Sequence, residues 1–374
     1  MNKPILYVVD ASVAITGAFI AVRNEARAMK ESLHIVLVLP KGSGIPAEAL
    51  QDFWRVEYVE MLNPSKNMSA LIRYVPALLC AAWTLKKQMK KDRCTRLQLN
   101  DFFLMQGLAL RLMGFKGYIA AWIRCDPARF AGAMSKPMLW LLKRSSNQMV
   151  AVSSFIYSLL PKNYSVEVLY DYYSGSVRKP KTWQEGEKKT IICIGNYIRG
   201  KGQDNVLTAF SSAAARDSSL RLSFYGGDMD LPKNRDYRKQ LESGAQESGF
   251  SSRITFGNFL ADTFPVLEPA FAAINLSQSE SFSMTVLEAS GAGLPVITAA
   301  SGGPQEIIKH GITGFVVPVN DAAAAAECIL VLSENTALAA KMGEAGALHV
   351  QQQFSKEIFC RKLRSILQMD EKQI

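Results

Sequence analysis

The sequence predicts an α/β protein made of two doubly wound domains that face each other across a cleft. Three observations lead there. Short runs rich in Val, Ile and Leu alternate with longer helical patterns along the whole chain, the signature of parallel strands covered by their connecting helices. These runs form two sets, separated at 170–189 by YDYYSGSVRKPKTWQEGEKK, a polar and basic stretch without periodicity that reads as a linker. Finally, 374 residues of which 48% are hydrophobic and 20% charged suffice for two ordinary cores rather than one. The expected domains are 1–172 and 173–354.

The first strand is ILYVV at 5–9, ended by Asp10. Five apolar residues so soon followed by a charge are too few for a signal peptide. HIVLVL, RLQL, YIAAW, MVAV and SVEVL continue the first set, and IICIG, LRLSFYG, RITF, AAINL, PVIT and GFVVP make the second. The strongly apolar, uncharged run YVPALLCAAWTL at 74–85 is about half the length that spans a bilayer. Six cysteines stand far apart without two-residue spacings, so neither a disulfide framework nor a zinc site is suggested, and a reducing cytosol fits. His34, His310 and His349 are also too scattered in sequence to suggest a metal cluster.

The net charge of +10 is unevenly placed: residues 1–170 carry 22 Lys and Arg against 11 Asp and Glu, and the remainder 21 against 22. The first half is therefore expected to meet something anionic, whether phospholipid, a phosphorylated or lipid-linked substrate, or nucleic acid. TLKKQMKKDRCTR at 84–96 follows the apolar run and has two readings. It is the solvated end of a buried helix, or part of a helix lying on a membrane surface.

In open parallel sheets ligands bind beyond the carboxyl ends of the strands, so the residues after each strand carry the functional expectation. IICIG leads into NYIRGKGQDNVLTAF. Gly195, Gly200 and Gly202 would let backbone approach a phosphate, a helix N-terminus would offer N–H groups, and Arg199 and Lys201 would complete an anion site. The spacing matches neither a dinucleotide nor a P-loop fingerprint, and a solvated basic turn is the plain alternative. AAINLS is followed by Glu280 and by a helix expected from about Ser283, whose N-terminus would offer backbone N–H groups near Phe282 and Ser283 to an anion. Glu288 lies eight residues beyond Glu280; in one helical run they would sit about 80° apart and about 12 Å along the axis. A helix cap plus a solvated surface residue is the plain alternative for this pair. Two acids bracketing a phosphate site suit a ligand with hydroxyls at both ends and a diphosphate between them, a nucleotide sugar.

At these residues the chain resembles the retaining glycosyltransferases of family 4, whose GT-B fold is two facing Rossmann-like domains with an interdomain cleft. The resemblance rests on ESFSMTVLEASGAGLPVI with SGGPQEIIKHGITGFVVP after it, on IGNYIRGKGQDNVLTAF, and on FYGGD and ITFGNF. It covers most of 190–318; in the first half VVDASVAITGAF alone is similar beyond the strand rhythm. It implies that Glu280 contacts the donor sugar, Glu288 the nucleotide ribose and Lys201 the diphosphate, that Gly17 lets the first domain approach the donor phosphate, and that residues 355–374 return to the first domain. Three departures stand out. Asn196 replaces the usual Arg, leaving Arg199 as the candidate second cation. Ser281 and Ser283 stand where glycines are common. The family's cleft histidine is missing, and Arg124 and Asp126 of WIRCDP occupy its expected place, on the acceptor side. His34 and His310 read as structural.

The expected function is transfer of a sugar from a nucleotide donor to a glycan or lipid-linked acceptor such as a lipopolysaccharide. It is expected to need no cofactor or metal, to run on the inner face of the cytoplasmic membrane against an anionic surface, and not to involve nucleic acid. Asp228 and Asp230 of GGDMD have a metal-ligand spacing but come late, inside the second domain. A nucleotide-sugar epimerase of the same architecture would need cleft acid and base groups, and a non-enzymatic binder of an anionic polymer such as nucleic acid would leave the glutamate pair unexplained.

Overall fold

The computed structural model describes residues 3–62, 68–178, 183–184 and 186–369. It divides into two compact units, Met1–Asp171 with Lys356–Ile374, and Tyr172–Ser355. The first unit holds β1 (Ile5–Val9), β2 (His34–Pro40), β3 (Arg55–Val59), β4 (Arg96–Leu99), β5 (Tyr118–Ile123), β6 (Gln148–Ala151) and β7 (Val166–Val168), paired in parallel in the order β3-β2-β1-β4-β5-β6-β7. The second holds β8 (Lys189–Ile194), β9 (Leu220–Tyr225), β10 (Ile254–Phe256), β11 (Ala272–Asn275), β12 (Val296–Ala299) and β13 (Gly314–Val317), again parallel, in the order β10-β9-β8-β11-β12-β13. The two doubly wound sheets match the expected fold class. Part of the 170–189 stretch, residues 179–182 and 185, lies outside the described residues.

Inner strands such as β1, β2, β5 and β12 are near-continuous apolar runs, as expected of parallel sheets with helices on both faces. Val8, Val9, Leu37 and Val38 are fully buried in the first unit, as are Leu220 and Leu222 in the second. The helix Gln203–Ala214 buries Val206, Ala209, Phe210 and Ala213 in the second core. The missed strand is β3. Its sequence RVEYV alternates polar and apolar, and among the described residues it pairs with β2 alone, so as an edge strand it lacks the apolar run that marks inner strands such as β1, β2 and β5. The helix Lys356–Ile366 belongs to the first unit, where Tyr118 Oη donates to the Ile366 carbonyl at 2.6 Å and Arg96 Nε to that of Leu367 at 3.2 Å.

The helix Gly17–Met29 carries a buried acid, Glu25, whose Oε2 accepts from Gln98 Nε2 at 2.9 Å while Oε1 has no hydrogen-bond partner among the described residues. Burial pushes its carboxyl up to about 7, against the opposing pull of the Gln98 hydrogen bond and the Arg124 charge. The folded chain therefore keeps a proton that the unfolded chain releases near pH 4.5. Its contribution to stability is complete below that pH and falls away as pH rises to 7, by about 3 kcal/mol in all. Glu25→Gln is expected to be more stable than the wild type at pH 8 by up to that amount, with the gap closing toward pH 4.5. Denaturant unfolding at both pH values checks this, and a gap independent of pH would remove Glu25 ionisation as its cause.

Candidate functional site

Two loops at the carboxyl ends of β8 and β11 build the site. These neighbouring strands run outward to β9 and β12 respectively, so the chain order reverses between them, the place where open parallel sheets bind ligands. After β8 the chain turns through Gly200 and Gly202 with φ of +91° and +73°. A Cβ on Gly202 would lie 2.0 Å from the Leu276 carbonyl oxygen, so only glycine lets this loop press against the one after β11. The contact is stitched by Gln278 N–H donating to the Gly200 carbonyl at 2.8 Å.

Lys201, between the two glycines, is thereby carried to Glu280. Its Nζ donates to Glu280 Oε1 at 2.7 Å, and the Ser277 hydroxyl donates to the same oxygen at 2.8 Å. Ser277 is fully buried, and Asn275 Oδ1 accepts its N–H at 3.2 Å. Glu280 is pinned through its backbone to the loop after β12: its N–H donates to the Ser301 carbonyl at 3.0 Å, and Gly303 N–H donates to its own carbonyl at 2.9 Å. A Cβ on Gly303 would meet Phe282 Cα at 2.3 Å, which is why SGGP follows β12. The side chain of Glu280 is 12% exposed and that of Lys201 34%, leaving the pair open on one side.

The helix Met284–Gly291 starts beside this pair, with Ser283 at its cap, φ +85°, and no side-chain cap on its first turn. Those N–H groups and the positive end of the helix dipole favour an anion. A positive φ in a residue with a Cβ costs of order 1–3 kcal/mol, so Ser283 is strained where the resembled family often has glycine. Phe282 is a core anchor, buried and 5.6 Å from the Phe354 ring. Glu288 lies within the helix, and its Oε2 accepts from Thr263 Oγ1 at 3.0 Å. The two glutamates thus do not share one helical run, and the 80° and 12 Å spacing does not apply: Glu280 sits in an extended bridge opposite Gly302, outside the helix that carries Glu288.

The other expected residues have different company. Arg199 lies over the Tyr237 ring, 5.1 Å from its centroid, and donates to Gln240, whereas Lys201 faces Glu280. Asn196 Oδ1 accepts from Gly227 N–H at 3.1 Å and its carbonyl from Gln203 Nε2 at 3.0 Å; Gly195 N–H donates to Tyr225 at 2.9 Å. Both tie the loops after β8 and β9. Asp228 Oδ1 accepts from Asp230 N–H at 2.8 Å, closing a local turn. His310 Nδ1 accepts from Val316 N–H at 3.1 Å, a structural role, and His34 stacks on Trp54 at 4.7 Å.

In the first unit Gly17 opens its helix behind the Thr16 cap, with nothing within 4 Å of a Cβ placed there. Arg124 is largely buried. Its Nε donates to Asn100 Oδ1 at 2.5 Å and its Nη1 to Asp171 at 3.2 Å. Asn100 in turn donates to Asp10 Oδ2 at 2.8 Å, and burial pushes the Asp10 carboxyl up and that of Asp101 to about 6. The Arg124 charge is thus matched inside its own unit. Asp126 accepts from the N–H groups of Ala128 and Arg129 and caps the short helix Pro127–Ala131.

Sequence reasoning missed Ser277, Thr263 and Tyr173. Tyr173 packs its ring against Gly291, and burial, followed by the charges of Glu288 and Asp262, pushes its phenol up. Ser277 stood in view three residues before Glu280; Thr263 and Tyr173 come from elements distant in sequence.

Residues 177–349 match the family model of glycosyl transferases group 1. Among curated proteins, the chain is similar to a GDP-mannose-dependent alpha-(1-6)-phosphatidylinositol monomannoside mannosyltransferase of Mycobacterium tuberculosis, 30% identical over 200 residues that cover 51% of this chain and 50% of the relative. It is also similar to the lipopolysaccharide core biosynthesis glycosyltransferase LpsE of Rhizobium meliloti, 25% identical over 182 residues, 49% of this chain and 50% of that one. The matches therefore span about half the length of these relatives. Among solved structures, Anabaena Alr3699/HepE in complex with UDP and glucose superimposes with a TM-score of 0.81 at 17% identity, over 99% of this chain and 100% of that one. The chain has the GT-B fold, and its residues 177–349 carry the match to the glycosyl transferases group 1 family.

Proposed function

We propose that the protein is a hexosyl-type glycosyltransferase that moves a sugar from a nucleotide-sugar donor to a hydroxyl of a glycan or lipid-linked acceptor, with retention at the anomeric carbon and without a bound metal. The observation that carries this reading is the Lys201–Ser277–Glu280 constellation beside the uncapped start of the Met284–Gly291 helix. It offers a cation and backbone donors to a diphosphate, and a fixed carboxylate to sugar hydroxyls. Glu288, steadied by Thr263, would accept from the ribose diol.

On binding, the diphosphate would share or take over Lys201 Nζ from Glu280. As the bond from the anomeric carbon to the diphosphate oxygen breaks, negative charge grows on the leaving phosphate, and the Lys201 ammonium and helix N–H groups stabilise it without reorganising. The acceptor hydroxyl attacks from the face the diphosphate leaves, and its proton passes to the leaving phosphate. The relatives support the substrate class: one is named for a GDP-mannose donor and a phosphatidylinositol mannoside acceptor, another for lipopolysaccharide core synthesis. The basic first half fits an anionic surface, which we take to be lipid at the inner face of a cytoplasmic membrane rather than nucleic acid, because a nucleic-acid binder would leave the glutamate pair unexplained. Transfer assayed with and without EDTA tests the chemistry: unchanged rate and a product of the donor's anomeric configuration by NMR are expected. Loss of activity restored by Mn²⁺ would instead give Asp228 and Asp230 a metal role, and an inverted product would overturn retention.

A further inference from the structure

The helix Met68–Lys91 has two apolar faces. Ala81, Ala82, Leu85 and Met89 are buried in the first unit, which is all that core packing asks of an amphipathic helix. Ile72, Val75, Leu79 and Trp83 form a second stripe, 72%, 49%, 41% and 59% exposed. Spacings of three, four and four residues place them on one side of the helix. Single exposed apolar residues are ordinary, but four large ones in line mark an interaction surface.

The same face continues into charge. Lys87 sets its Nζ 5.6 Å from the Trp83 ring centroid, and Lys87, Lys90 and Lys91 are exposed, as is Arg73 beside Ile72. The helix contains no Asp or Glu. Not every nearby cation is available, since Lys86 Nζ donates to the Met113 carbonyl at 2.5 Å and Arg96 holds the carboxyl-terminal segment. An apolar stripe followed by cations of one sign, with a Trp at the junction, fits the boundary between acyl chains and anionic headgroups.

We infer that the outer face of the Met68–Lys91 helix docks the protein on an anionic bilayer, with Ile72, Val75, Leu79 and Trp83 entering the acyl boundary and Lys87, Lys90 and Lys91 meeting lipid phosphates. This rests on the reading that the basic unit works at a membrane, and adds to it that attachment is hydrophobic as well as electrostatic. The full chain should sediment with vesicles of phosphatidylcholine plus phosphatidylglycerol and poorly with phosphatidylcholine alone. Each basic side chain near an anionic surface is worth about fivefold in partitioning, so losing three is worth about 100-fold. Lys87→Glu/Lys90→Glu/Lys91→Glu, which also adds three repelled charges, is expected to weaken binding by more than that. Leu79→Ser/Trp83→Ser is expected to weaken it by about tenfold, and to abolish the fraction that the wild type retains in high salt. Neither variant should alter the melting temperature or nucleoside diphosphate binding, because these side chains are exposed and lie outside the donor-site unit. Vesicle binding by both variants equal to wild type would overturn the docking face. So would a concentration-dependent dimer in the ultracentrifuge that Leu79→Ser/Trp83→Ser dissolves, which would make the stripe a self-association surface. Vesicle binding is read without donor or acceptor, so it stands or falls apart from the transfer chemistry.

Discussion

Glu280→Gln is expected to lower kcat/KM for transfer by about 100-fold or more while the fold survives. The amide has the shape of the carboxylate but not its charge: its oxygen can keep the place of Oε1, which accepts from both Lys201 and Ser277, while its NH2 group replaces the Oε2 acceptor by a donor. Orientation of the donor sugar is lost, and a group that acts in the transition state is commonly worth about 3 to 4 kcal/mol. The stability change should be small, about 1 kcal/mol, because Lys201 is 34% exposed and water screens the broken pair. Steady-state kinetics beside a thermal melt separates the two effects. Activity within a few fold of wild type in a folded variant would remove Glu280 from the site.

Lys201→Met is expected to be at least as damaging, and in a distinctive way. It removes the charge-assisted hydrogen bond offered to the diphosphate, about 1.5 to 3 kcal/mol. It also strands Glu280, only 12% exposed, as an uncompensated negative charge where the anion must bind. The double variant Lys201→Met/Glu280→Gln removes that repulsion. Its donor KM should therefore be lower than that of Lys201→Met alone, although both partners are gone, because contacting residues do not add. Strictly additive effects on KM would mean that Lys201 and Glu280 serve separate ligands.

The doubly wound architecture was legible because the inner parallel strands are apolar runs set between helical patterns, and twelve of the thirteen strands among the described residues announced themselves through that rhythm. β3 did not, since Arg55 and Glu57 interrupt an edge strand that has one neighbour. The heart of the site was legible through glycine: Gly200 and Gly202 flank Lys201 because the backbone must turn left-handed there. The company of a long side chain was not. Arg199 stands two residues from Lys201 yet is drawn to Tyr237 and Gln240 on the helix Pro232–Glu247, a partnership set by packing between distant elements. Arg124 likewise reads in sequence as an available cation, and its match with Asp171 joins residues after β5 and β7 that only the sheet brings together. In the Met68–Lys91 helix the apolar run was visible, but which part of it would face solvent depends on where the core lies.

Calorimetric titration of the full chain and of its Lys201→Met variant with nucleoside diphosphates of each common base tests the donor site most directly. A donor diphosphate held by Lys201 and the start of the Met284–Gly291 helix requires that at least one of them bind the wild type saturably, at about one per chain, and bind the variant at least about tenfold more weakly. Equal affinity for both proteins would place the diphosphate elsewhere, and no binding of any nucleoside diphosphate would contradict the assignment of this unit to a nucleotide-sugar donor.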